Sequence, residues 1–247
     1  MGTTATRNPA LRRADWSHVQ AAADGAVMTL GGVMRKTFVL LAIMSAAMLY
    51  VWKGMPGIGL SEGVIYGLFI VGFVMGVGIL LYTARDPEVA RITGPIYAGI
   101  QGLVLGALTL VIAAKYPGLP MQAAVLTVAT LLVMLVAYRT GAIKVTERLK
   151  SIVVSCTLAI FVFYIIAFAL SLFGVFIPMI QEGGVIGIGF SLFVTALAAF
   201  NLLLDFDFIE QNTGHAPSTI EWYAAFSLVV TLIWLYTEIL RLLRKVR

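Results

Sequence analysis

Residues 185–209 read VIGIGFSLFVTALAAFNLLLDFDFI, a run in which Asp205 and Asp207 are the only ionisable groups. A helix rising 1.5 Å per residue needs about 20 apolar residues to cross the roughly 30 Å hydrocarbon core of a bilayer. The run is long and apolar enough to be a membrane span. Working outward, apolar stretches bounded by charge, glycine or proline give six more: 30–52, 62–82, 95–114, 119–138, 149–173 and 219–243. Thr29 is placed to cap the first. Pro95 stands in the first turn of the third, where a missing N–H is tolerated. The loops are short, so neighbouring helices run antiparallel and no further domain is inserted.

The expectation is an all-α membrane protein, a seven-transmembrane-helix bundle formed by residues 29–247 as one domain. A polar segment, 1–28, flexible or interfacial, precedes it. Composition agrees: 60% of the 247 residues are hydrophobic and 12% charged, against about 25% charged in soluble domains. The first apolar run starts too late for a cleaved signal sequence and reads as an uncleaved anchor. Cys156, the single cysteine, lies in a span, where it has no internal disulfide partner and serves as a small hydrophobe. The net charge of +5 does not point to nucleic acid, because the basic residues sit at helix ends rather than in one patch with interleaved aromatics.

Those helix-end charges set an orientation. Arg7, Arg12, Arg13, Arg35, Lys36, Arg85, Arg91, Arg139, Lys144, Arg148 and Lys150 fall on the side of the N-terminus. Lys53, Lys115, Arg241, Arg244, Lys245 and Arg247 fall on the other. The excess predicts a cytoplasmic N-terminus. The basic tail argues for the alternative, six spans and one re-entrant segment, which would bring it to the same side.

Small residues four apart let helices approach closely in lipid, and Gly63 with Gly67, Gly72 with Gly76, and Gly99, Gly102 and Gly106 are read as packing positions. Ionisable groups inside spans are costly and mark function; they concentrate in the last two. Asn201 and Asp205, four apart, share a helix face, whereas Asp207 points about 200° away from Asp205. Asp207 and Glu210 are expected near headgroups. In the last span Ser227, Thr231, Trp234, Glu238 and Arg241 fall within an arc of about 80°, a polar stripe toward the interior. The plainer alternative is a local pair between Glu238 and Arg241 at the helix end. Gln101 is placed to hydrogen-bond across helices, and Glu62 and Tyr66 open the second span near the interface. His18 and His215 lie outside the spans as solvated residues. Burial disfavours the charged form of a carboxyl, which makes buried acids proton sensors or relays. Calcium wants six to eight oxygens, so no fixed metal site is expected, only transient Ca²⁺ near Asp205. No phosphate loop, nucleophile elbow, HExxH or CxxC is present, so no enzyme activity and no cofactor are expected.

NPALRR at 8–13, RKT at 35–37, GPIYAGIQGLVLGA at 94–107, GIGFSLFVTALAAFNLLLDFDFIEQ from Gly187 and EWYAAFSLVVTLIWLYTEILRLL from Glu221 together resemble the bacterial branch of the Bax inhibitor-1 family. The match runs in order along nearly the whole chain. The resemblance implies that the last helix lies at the bundle's centre, and for some members a pH-sensitive calcium leak controlled by one aspartate in each of the last two helices. Asp205 stands at the first of these positions. At the second this sequence departs: one alignment places Thr231 there, another Glu238, and Gln101 stands where many relatives carry a glutamate. The expectation is a pH-sensitive cation leak of a bacterial inner membrane, with Asp205 as sensor and Glu238 as partner, and Thr231, Asn201, Arg241 and Asp207 beside the path. Gln101, Ser227 and Glu62 are secondary candidates. The family's other mode, restraint of a membrane-anchored AAA protease without transport, is the alternative; in either case the partners are the lipid bilayer, H⁺ or Ca²⁺, or a membrane protein.

Overall fold

Among the described residues seven helices are long and apolar enough to cross a membrane. They are α1 (Leu30–Gly54), α2 (Glu62–Arg85), α3 (Ala90–Lys115), α4 (Leu119–Arg139), α5 (Glu147–Leu172), α6 (Val185–Asn212) and α7 (Ile220–Val246). They belong to a computed structural model that describes residues 26–54, 62–175, 177 and 184–247, without the side chains of 53, 54 and 62–66. The expected seven-helix membrane bundle is what forms. The fragment at 8–13, His18, the side chains of Glu62 and Tyr66, and the packing around Gly63 lie outside the described residues.

Helices outrun the apolar stretches that foretold them, because their charged ends lie beyond the apolar run. Thr29 does cap α1, its Oγ1 accepting from the Gly32 N–H at 3.0 Å. Thr146 caps α5 by accepting from the Leu149 N–H at 3.2 Å, so α5 begins with Glu147. Pro95 needs a correction. Asp86 caps a short 3₁₀ turn, Pro87–Val89, and α3 starts directly after it at Ala90. Pro95 therefore sits inside the helix, one turn deeper than its first turn, and removes an interior backbone donor.

α7 is the hub. Its spanning window is 56% buried, the largest share of the seven, whereas those of α1 and α5 are 11% buried. It packs against α1, α3, α4 and α6, while α2 packs closely on α3, and α5 on α6. α7 runs its full length, so the basic tail lies opposite the N-terminal end of α1, and the re-entrant alternative has no counterpart among the described helices.

Glycine sets two of the crossings. A Cβ on Gly102 would collide with the Met44 carbonyl oxygen of α1, and one on Gly106 would stand 2.8 Å from Val51 Cβ. On the other side Gly72 and Gly76 of α2 leave room for Val104 and Gln101 of α3. Gly67 and Gly99 open onto empty space and take no part in packing.

The end of the polar N-terminal segment belongs to the bundle. Residues 26–28 run beside the α6–α7 loop, with Met28 N–H donating to the Ala216 carbonyl at 2.7 Å and Ser218 N–H to the Ala26 carbonyl at 3.0 Å. Met28 itself is fully buried.

Candidate functional site

Asp205 is carried by α6 into its contact with α7 and is 9% exposed. The Ser227 hydroxyl donates to its Oδ1 at 2.6 Å. Thr231, one turn further along α7, approaches the same carboxyl, while its own hydroxyl donates to the Ser227 carbonyl at 3.2 Å. Oδ2 is buried and has no hydrogen-bond partner among the described residues. A buried, half-satisfied carboxyl is costly in either state, and more so when charged. The titratable group near it on α7 is Tyr223.

Asn201 shares Asp205's helix but not its neighbours. Its amide donates to Thr157 Oγ1 of α5 at 2.8 Å and to the Leu197 carbonyl at 2.9 Å. Asp207 points elsewhere, as its 200° offset requires, and pairs with Lys150 of α5 at 2.7 Å. Glu210 accepts from Tyr138 of α4. The acids expected among headgroups therefore tie the end of α6 to two other helices.

A cavity of about 1270 Å³ lies between α2, α3, α5 and α7. Asn201 and Thr231 line it, and along α7 it extends from Val230 to Lys245, about 22 Å at 1.5 Å per residue. Gln101 also lines it and donates across to the Gly72 carbonyl at 3.4 Å, the interhelical bond its position suggested. Toward the C-terminal end the polar groups are Glu238, Arg241, Arg244, Lys245 and Lys115. Glu238 is 1% exposed and forms the i, i+3 pair with Arg241 at 2.8 Å. Tyr164 of α5 donates to it at 2.9 Å, and Arg241 lies over the Tyr164 ring at 4.9 Å. Among the described residues no three His, Cys, Asp or Glu side chains gather as for a metal ion.

Another buried charge pair joins the ends of the chain. Lys36 Nζ lies 2.6 Å from Glu221 Oε2, with side chains 13% and 7% exposed. Glu221 Oε1 also accepts from the Thr29 N–H at 2.8 Å and Thr29 Oγ1 at 2.9 Å. Sequence reading counted Lys36 toward orientation and passed over Glu221. The signal available was a base nearly two turns into the first helix and an acid at the start of the last.

A family model described as Bax inhibitor 1 like matches residues 8–247. The chain belongs to that family. Neither the curated proteins nor the solved structures gave a match. In this Bax inhibitor 1 like protein Ser227 and Thr231 are the polar α7 residues next to Asp205. Thr231 is beside Asp205, and Glu238 is not: it lies eleven residues beyond Ser227, about 16 Å along α7. The pairing of Asp205 with Glu238 is thereby corrected. Thr231 and Glu238 sit on faces only about 20° apart around α7, which is why periodicity alone could not choose between them, but they differ in depth.

Proposed function

We propose that this membrane protein is a pH-responsive cation leak, with calcium the first ion to test, in a bacterial inner membrane with its N-terminus cytoplasmic. The observation supporting this is the place of Asp205. Asn201 and Thr231 line the cavity, and Asp205 lies one helical turn past Asn201, outside it, in the contact between α6 and α7. Protonated, Asp205 is a neutral group that the contact tolerates. Ionised, it leaves a charged oxygen unpaired in an apolar wall, which favours parting of α6 from α7 and attracts a cation. Flux should therefore rise as pH rises. Ca²⁺ uptake into liposomes holding the pure protein, measured from pH 6 to 8, tests this, and Asp205→Asn should flatten the profile. Flux no greater than that of empty liposomes sinks the reading, as does an unchanged pH response in Asp205→Asn.

One observation favours a second reading, a non-transporting regulator that binds a membrane-anchored AAA protease. The basic end of the cavity carries Lys115, Arg241, Arg244 and Lys245 against one acid, Glu238, and such a mouth repels cations. Absence of flux together with co-purification of a protease would support it.

A further inference from the structure

The cavity is a trough with one charged end. Its walls are apolar: Phe73, Val77 and Leu80 of α2, with Leu158 and Phe161 of α5. The lining residues Leu81, Val111 and Leu158 are 50%, 45% and 58% exposed, so in a bilayer that side meets acyl chains. The Phe73 and Phe168 rings, 4.5 Å apart, join α2 to α5. The length of about 22 Å along α7 exceeds one leaflet's share, about 15 Å, of the hydrocarbon core.

At the C-terminal end the described basic residues outnumber the acids. Glu238 is already engaged by Arg241 and Tyr164. Among the described residues Lys115 and Arg244 have no carboxylate partner; Lys115 has only the Tyr116 ring, 5.7 Å away. An apolar trough open to lipid and ending in Lys115 and Arg244, neither with a described carboxylate partner, is complementary to an anionic amphiphile. A phosphate, with several acceptor oxygens, suits an Arg fork beside a Lys better than a single carboxylate does. We propose that the trough holds an anionic phospholipid from the leaflet on the C-terminal side, one acyl chain between α2 and α5 and its phosphate on Lys115 and Arg244. This holds whether or not ions cross.

Trp234 lines the trough and reports on its contents. In a chain carrying Trp16→Phe, Trp52→Phe and Trp222→Phe, Trp234 fluorescence is measured in phosphatidylcholine vesicles doped with phosphatidylglycerol or phosphatidylcholine brominated on the acyl chain. A cation near the lipid surface is worth about a fivefold preference for an anionic lipid. Brominated phosphatidylglycerol should therefore quench at a mole fraction at least about fivefold lower than brominated phosphatidylcholine. Lys115→Gln with Arg244→Gln, both on exposed side chains, should bring the two lipids within about twofold. Equal quenching in the parent, or a preference that survives both substitutions, overturns the proposal. Brominated stearate quenching at lower mole fraction than the phosphatidylglycerol would also overturn it, by making the occupant a free fatty acid.

Discussion

Glu221→Gln isolates the charge that joins the first helix to the last. Glutamine keeps the shape of Glu221 and one oxygen to accept from Thr29, so those contacts at 2.8 and 2.9 Å survive. What goes is the negative charge 2.6 Å from Lys36 Nζ. Breaking a buried pair by removing one partner costs about 3 to 5 kcal/mol. Lys36 keeps the Ser218 carbonyl at 3.2 Å and the Trp222 ring at 5.5 Å, which lowers the net loss to about 2 kcal/mol. For a chain of this size 1 kcal/mol shifts Tm by about 2 to 4 °C, so the variant should melt about 4 to 8 °C lower. The assay is thermal unfolding in mild detergent, read by a thiol-reactive dye at Cys156, which is only partly exposed in α5. Lys36→Met added to Glu221→Gln removes the orphaned charge and should recover part of the loss. A drop under about 1 °C for Glu221→Gln, or a double variant that falls by the sum of the two singles, refutes the coupling.

Gly102→Leu should destabilise the bundle by about 1 to 3 kcal/mol, since its side chain meets the Met44 carbonyl, whereas Gly99→Ala, facing open space, should leave Tm unchanged. The same melting assay decides. Asn201→Leu removes the 2.8 Å bond to Thr157 and should cost about 1 kcal/mol, in line with interhelical polar contacts in lipid. If Asn201→Leu and Thr157→Val prove additive in a double-mutant cycle, the bond contributes nothing.

The span positions were legible because hydrocarbon imposes length and polarity on each run separately, and residues 185–209 state both without help from the rest of the chain. Asp207's divergence from Asp205 was legible for a similar reason, since one helix's geometry settles it. Depth was not. Thr231 and Glu238 lie on nearly the same face, and choosing between them requires knowing how α6 and α7 are staggered, which depends on the whole α6–α7 contact. Pro95 misled because the apolar run that marks the span begins there, whereas Asp86 caps a 3₁₀ turn from which α3 continues at Ala90. Lys36 and Glu221 were invisible as a pair because 185 residues separate them, and only the finished bundle sets them side by side.

That α7 is both the most buried helix and the last synthesised has a consequence for biogenesis. Six helices must leave the ribosome before the element on which α1, α3, α4 and α6 pack exists, and until then Lys36 is without its acid. Loss of residues 220–246 therefore removes the keystone rather than an edge, and chains cut short there should be recognised by quality-control proteases as open assemblies, however intact their first six spans.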